Sequence, residues 1–533
     1  MTSETTSGLL SDLRCAYLDG EEIIASGLPA SVATALIRTA TGDRVEGMLV
    51  ADEARFADLP TGTHVVELHA ADGRLVAEEL VSVRGGPGDD PIMGFATSFD
   101  QLTVPESLDW LRSLRCTVVQ VYDWMESYSK PLGPLGIYRD VLGREVDRRA
   151  LEELIDGIRR MGAVAQAYTP VCAADPGAHP HWRLFRNDGA PQTLGDLLEV
   201  MDPGNHGWQQ HWLRQYGQAA DVLGFNGFHL DTYGYPRAAV DARGNQCELA
   251  DGYAAFIAAV RSKRPRDVIS FNQVNGVPAG IKPPCRPGFR YVEAWPPNDR
   301  WCHLEGLMAR SAGRPDGPQG DTLAIYPPVW SENRAGALRT VVLTEAIATA
   351  LGLGTLMFGD AAGVLRQPYY VDHERLTRQE AGTALAWHRF GLRCRDLFRQ
   401  GADTSWSELS DENAAVTVSA QLPVRPDPSG GALFARVVKR PQTLAVSLLD
   451  LSGSNDGSWS APTGPGTCTH AVVTALVPQP RRWSADVAVL GRNGGRFAPV
   501  PLTEVSHREG RAVGCRVSIV DGWSVLRLKQ TPA

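Results

Sequence analysis

Alternating apolar and polar positions mark the two ends of the chain as β-structure. Near the start, "SVATALIRTATGDRVEGMLV" reads as one strand pair and "THVVELHAADGRLVAEELVSVRG" as another, folded about an Asp72-Gly73 turn. The Gly/Pro/Asp-rich "RGGPGDDP" follows as a linker, so residues 1–88 are expected to form a small β domain. In the last stretch, 401–533, strands and turns return in "GALFARVVKRPQTLAVSLLDLSG", "THAVVTALV" and "GCRVSIVDGWSVLRL". That pattern predicts a β-sandwich. Between the two ends the period switches. Short apolar runs ("IMGFATSF", "CTVVQVYD", "AVAQAYTPV", "GFHLDTY", "VISFNQVN", "RYVEAW", "TLAIYPP", "GTLMFGD") alternate with helical segments such as "DRRALEELIDGIRRMG" and "GALRTVVLTEAIATALG". Strand–helix repetition implies a parallel sheet. Eight repeats over residues 89–400 predict a (β/α)8 TIM barrel with enlarged loops, because about 250 residues suffice for the bare fold. An open doubly wound sheet would want a Gly-rich phosphate turn after its first strand, and "GFATSFDQLTVPES" offers none.

Composition narrows the partners. The chain has 533 residues, more than one hydrophobic core usually organises, which fits several domains. A net charge of −9 without any basic block argues against nucleic acid or an anionic membrane surface. No apolar run approaches membrane-spanning length. Nine dispersed cysteines, with no C-x-x-C pair, suit a reduced compartment better than a disulfide framework. The opening "MTSETTSGLLSDLRCAYLDGEE" has neither a basic segment nor a long apolar core, so a cytoplasmic location is expected.

Chemistry enters at the strand ends. Strand two ends in Asp123, strand four in Asp231, strand six carries Glu293 and strand eight ends in Asp360. In a barrel, alternate strands supply one inward layer, and active sites lie at the strands' C-terminal face. Four carboxylates are therefore expected to converge in one pocket. The odd strands carry Tyr168, Asn272 and Tyr326, while Trp124, Trp295, Trp301 and Trp330 sit near the expected mouth. Acids among aromatic platforms suit a sugar: one carboxylic acid protonates the leaving oxygen, and a second carboxylate attacks the anomeric carbon or activates water. Spacing alone does not choose which two acids work.

Other readings compete. A single strand-end carboxylate serves equally well as a helix cap or half of an ion pair. Clustered acids also suit Mg²⁺ or Ca²⁺, but no compact ligand motif accompanies them. "HPHW" lacks the spacing of a zinc-binding helix. No cofactor or metal is expected. No G-x-S-x-G nucleophile elbow is present, and "GRNGG" reads as a hairpin turn, since no helix follows it.

Over most of residues 90–460 the motifs resemble glycoside hydrolase family 66, the dextranases and cycloisomaltooligosaccharide glucanotransferases. The resemblance rests on "VYDWMESYSKPLG", "AYTPVCAA", "MDPGNHGWQQHWLRQYGQAADVLGFNGFHLDTYG", "SFNQVNG", "YVEAWP" and "FGDAAGVLRQPYY". It implies an N-terminal Ig-like domain, a barrel and a C-terminal β-sandwich. It further implies retaining cleavage of α-1,6-glucosidic linkages in isomalto-oligosaccharides, with Asp231 as nucleophile, forming a covalent glycosyl-aspartate, and Glu293 as general acid/base. Asp123 and Asp360 would hold the sugar, and Tyr122, Trp124, Tyr168, Asn272 and Trp295 would wall the subsite. Asn226 stands where family members often carry Asp, before the strand, and little effect is expected. The expected barrel has no room for the carbohydrate-binding insertion of the cyclising enzymes, which favours hydrolysis over cyclisation. The alternatives are a transglycosylase on the same or another α-glucoside, and a non-catalytic carbohydrate-binding barrel protein.

Overall fold

The computed structural model describes residues 10–232, 239–279, 281, 288–312, 321–327, 330–331, 333–399, 415–440, 442–477, 482–507 and 510–531. The expected boundary at 400/401, and Tyr233-Gly234 beyond the fourth strand, lie outside the described residues. Its central sheet has eleven strands: β1 (Met93–Ala96), β2 (Val118–Val121), β3 (Val164–Pro170), β4 (Gly227–Asp231), β5 (Val268–Val274), β6 (Gly288–Glu293), β7 (Thr322–Ala324), β8 (Gly354–Leu356), β9 (Phe358–Gly359), β10 (Gly363–Val364) and β11 (Glu374–Arg375). Helices α1 (Thr103–Ser113), α2 (Arg148–Arg160), α3 (His206–Leu223), α4 (Leu249–Lys263), α5 (Leu304–Ala312), α6 (Arg334–Ala350) and α7 (Arg378–Phe398) alternate with these strands along the chain. Their starts are built locally. Asp147 caps α2, Asn205 caps α3, and Thr377 with Glu380 forms a reciprocal capping box on α7. No helix among the described residues is long and apolar enough to cross a membrane.

The strand order is β8-β7-β6-β5-β4-β3-β2-β1-β9-β10-β11, parallel from β8 to β9 and antiparallel beyond. This corrects the expectation of a closed (β/α)8 TIM barrel. The segment expected as strand eight divides at Met357: β8 pairs with β7, whereas β9 pairs with β1 and β10. Among the described residues no ladder joins β8 to β9 or β1. The reason is local. The Met357 carbonyl accepts the Leu365 N–H at 2.8 Å, so the returning chain uses the group that would have continued the strand. The result is an open, curled half-barrel sheet in a mixed α/β fold. Gly359 is required at the junction, because a Cβ there would lie 2.1 Å from the Phe95 carbonyl oxygen.

The flanking sheets are likewise not simple sandwiches. The N-terminal strands form a five-stranded and a three-stranded sheet around one apolar core. Arg389 and Arg393 of α7 pair with Glu79 and Glu78 on that five-stranded sheet. At the C-terminal end a six-stranded sheet has two apolar faces. Leu433, Ala435 and Val437 pack toward the four-stranded sheet, while the intervening Phe434 and Val438 join the core of the central sheet. Trp523 completes that second face, its ring 4.8 Å from Phe390 and 5.9 Å from Trp387 of α7. A strand buried on both sides cannot belong to a self-contained two-layer unit.

Candidate active site

Two-residue periodicity delivers the site. Every second side chain of a strand faces one way, so β3 to β6 each present a pair to the same face: Gln166 and Tyr168, His229 and Asp231, Ser270 and Asn272, Tyr291 and Glu293. The lower level is a polar network. His229 Nδ1 lies 2.9 Å from the Ser270 hydroxyl, which donates to Gln166 Oε1 at 3.2 Å. Burial lowers His229 to about 4, against the pull of Asp231, so its imidazole is neutral at pH 7.

The start of β4 explains the motif "GFNGFHLD". Gly224 ends α3 in the left-handed conformation (φ 87°). At Gly227 a Cβ would lie 2.7 Å from the Val268 carbonyl oxygen. Asn226 Oδ1 accepts the Ala165 N–H at 2.8 Å, a bond that a carboxylate oxygen would accept equally well.

The upper level holds two carboxylates. At the tip of β4, Asp231 Oδ2 accepts the Tyr168 hydroxyl at 2.6 Å. Its Oδ1 accepts Asn272 Nδ2 and the Thr232 N–H, both at 2.8 Å. Three donors fix the orientation of that carboxylate. At the tip of β6, Glu293 Oε1 accepts the Tyr326 hydroxyl at 2.8 Å and Oε2 accepts Trp295 Nε1 at 3.1 Å. Burial, reinforced by the charge of Asp231, pushes Glu293 up to about 7; the hydrogen bonds from Tyr326, Trp295 and Asn272 restrain the rise.

Tyrosines form the wall. Tyr122 stacks on Tyr370 at 4.5 Å and leans on Tyr168 at 4.3 Å. The Tyr370 hydroxyl bonds that of Tyr291 and lies 3.5 Å from that of Tyr326. A chain of phenols therefore runs from Glu293 down to the lower level. Asp123, just beyond β2, adopts a left-handed φ of 49° and is buried. Burial pushes it up to about 8; Arg144 opposes the rise, and Asp140 and Asp231 add to it. Its burial thus favours the neutral acid over the carboxylate.

Three expectations need correction. Asp360 does not join the other acids: its carboxylate accepts the Thr97 N–H at 3.0 and 3.1 Å and the Thr97 hydroxyl at 2.5 Å, with Ser107 of α1 at 3.5 Å. Only 1% exposed, it clamps the end of β9 to the chain leaving β1. Trp124 is core, fully buried, with its indole N–H donating to the Tyr168 carbonyl at 3.1 Å and its ring against Phe225. Trp301 is likewise buried against Thr344 of α6 and Trp330 is buried as well, which leaves Trp295 as the partly exposed indole beside an acid. Finally, the layer that holds the acids is not built from even strands alone, since Tyr168 and Asn272 from odd strands bond Asp231 directly. Sequence reasoning did not assign Tyr370 or Arg144 to the site. Tyr370 lies within the quoted "RQPYY", whereas nothing in the periodicity around "LGREVD" points to Arg144.

An acid poised near neutrality beside an anchored carboxylate, walled by phenols and an indole, is the equipment of an enzyme that breaks glycosidic bonds. Glycosyl hydrolase family 66 matches residues 62–526, and the chain belongs to that family. It is 25% identical over 216 residues to a cycloisomaltooligosaccharide glucanotransferase of Niallia circulans (36% of this chain, 22% of that one). To a dextranase of Streptococcus salivarius it is 29% identical over 172 residues (28% of this chain, 21% of that one). The matched stretch is thus about a fifth of the length of these relatives. In fold it is similar to a Paenibacillus sp. cycloisomaltooligosaccharide glucanotransferase solved with cycloisomaltoheptaose, at TM-score 0.80 and 15% identity, covering 96% of this chain and 98% of that one.

Proposed function

We propose that the chain cleaves α-1,6-glucosidic linkages in dextran-type oligosaccharides with retention, and passes the glucosyl group to a sugar hydroxyl in preference to water. Asp231 attacks the anomeric carbon while Glu293 gives its proton to the departing oxygen, leaving a glucosyl ester on Asp231. Glu293 then takes the proton of an acceptor hydroxyl, whose oxygen displaces Asp231 and restores the carboxylate. The observation that carries this reading is the pairing of Asp231, anchored by three donors at the tip of β4, with Glu293 at the tip of β6, raised to about 7 by burial and by the charge of Asp231. The neutral Asp123 supplies a donor for a sugar hydroxyl, and Trp295 an apolar face. Transfer is preferred over the hydrolysis expected from sequence because the similar proteins include glucanotransferases. Water remains the competing acceptor.

The test is product analysis with isomaltotriose, longer isomalto-oligosaccharides, dextran, maltotriose and nigerose, with Asp231→Asn as control. Early products longer than the substrate, confined to α-1,6 substrates and absent from the variant, are the expected result. Short products alone would replace transfer by hydrolysis. Silence of the folded protein on every α-1,6 substrate would overturn the reading.

A further inference from the structure

Away from this site, the N-terminal five-stranded sheet, α7 and the C-terminal six-stranded sheet flank an open cavity of about 610 Å³. Its walls contradict the charge of the chain. In a protein of net charge −9, six cations line it (Arg38, Arg44, Arg393, Arg496, Arg527 and Lys529) against two carboxylates, Glu67 and Asp486. Glu78 and Asp43 reach in from behind the wall, and the cations still exceed the acids by two, six against four.

The carboxylates present are shared. Asp486 lies 2.9 Å from Arg527 and 3.2 Å from Lys529, and Glu78 lies 2.9 Å from Arg393 and 3.0 Å from Arg496. Arg44 has no carboxylate partner among the described residues. Arg527 is only 4% exposed. Its Nη1 donates to the Ala40 carbonyl and its guanidinium lies 4.1 Å from the Phe497 ring centre, yet its Nε has no partner. The wall is also shaped around these groups. Gly42 is left-handed at φ 92°, and a Cβ there would lie 2.0 Å from Lys529 Nζ.

We infer that this cavity is a binding site for a multiply charged oxyanion, inorganic phosphate or a phosphate monoester. The guanidinium forks match the tetrahedral oxygens, and two negative charges offset the surplus of two cations. The volume exceeds what bare phosphate fills, so an ester carrying a sugar-sized group fits. Because the anion would touch both terminal β regions and α7, its binding ties them together and raises the melting temperature.

The full chain is titrated calorimetrically, and melted, with sodium phosphate, with glucose 6-phosphate, and with sodium chloride at matched ionic strength. Saturable heat and a melting rise with a phosphate compound, not reproduced by chloride, are expected. Tighter binding of the ester identifies an ester as the ligand, and equal binding identifies the free anion. Arg44→Ser, at an exposed position that leaves the fold undisturbed, weakens binding by about tenfold or more, the loss of one charge-assisted hydrogen bond, and Arg44→Glu abolishes it. No saturable heat, a melting rise equal to that in chloride, or unchanged affinity in both Arg44 variants would overturn the inference.

Discussion

Replacing Asp123 by Asn tests whether the protein keeps a neutral carboxylic acid beside Asp231 at working pH. Asp123 is pushed from the ordinary 3.8 to about 8, chiefly by burial. Folded protein at pH 7 therefore retains a proton that unfolded chain has released. The sign follows from linkage: a raised folded value contributes stability that is complete below the unfolded value and lost as pH rises through the folded one. Between the two values each pH unit is worth about 1.4 kcal/mol, so holding this proton costs about 4 kcal/mol at pH 7 and well under 1 kcal/mol at pH 4. Asn has the same shape and carries no such cost. Arg144 is not stranded by the change, because Asp140 lies 2.7 Å from it. For a chain of this length the unfolding entropy makes each kcal/mol worth about 1 °C. Scanning calorimetry should thus find the Asn variant melting up to about 4 °C above the parent at pH 7 and within about 1 °C of it at pH 4. A gap that is equal at the two pH values, or a variant that melts lower at pH 7, would refute the reasoning and mean that Asp123 is ionised in the folded protein.

Three further outcomes are expected. Asp231→Asn should lower kcat by about a thousandfold or more on any cleaved glucoside while leaving the fold intact, as circular dichroism would verify. Tyr326→Phe removes a donor to ionised Glu293; because the acid must be protonated for cleavage, the alkaline limb of kcat/KM, near 7 in the parent, should move up by about one unit, and a limb that stays put would detach Tyr326 from Glu293. Trp124→Phe should lower stability by about 1–3 kcal/mol through the lost bond to the Tyr168 carbonyl and lost packing, with KM unchanged; a large rise in KM measured on isomaltotriose would return Trp124 to the sugar-binding wall.

What could be read in advance follows from the range of each interaction. The pairs His229/Asp231 and Tyr291/Glu293 obey a two-residue rule written in the chain itself, so the carboxylates at those strand tips were legible. Trp124 was not. Proximity to Asp123 in sequence says nothing of direction, and a left-handed residue at 123 turns the chain so that the indole enters the core. Asp360 shows a different limit. A strand-end carboxylate has the same local signature whether it meets a substrate or a backbone N–H, and its partner Thr97 is 263 residues away. The division of strand eight at Met357 depends equally on a bond to Leu365 across a turn, which hydrophobic periodicity does not encode. The cation-rich cavity draws its walls from three distant regions of the chain, each unremarkable alone.

The six-stranded sheet that is apolar on both faces bears on how such proteins can be recombined. Modules that merely touch can be exchanged between relatives by cutting at a linker. Here Phe434, Val438 and Trp523 are as much a part of the catalytic sheet's interior as its own helices. A chimera carrying a relative's C-terminal β region would replace one wall of that interior, and the graft would succeed only if Trp387 and Phe390 of α7 were replaced together with it.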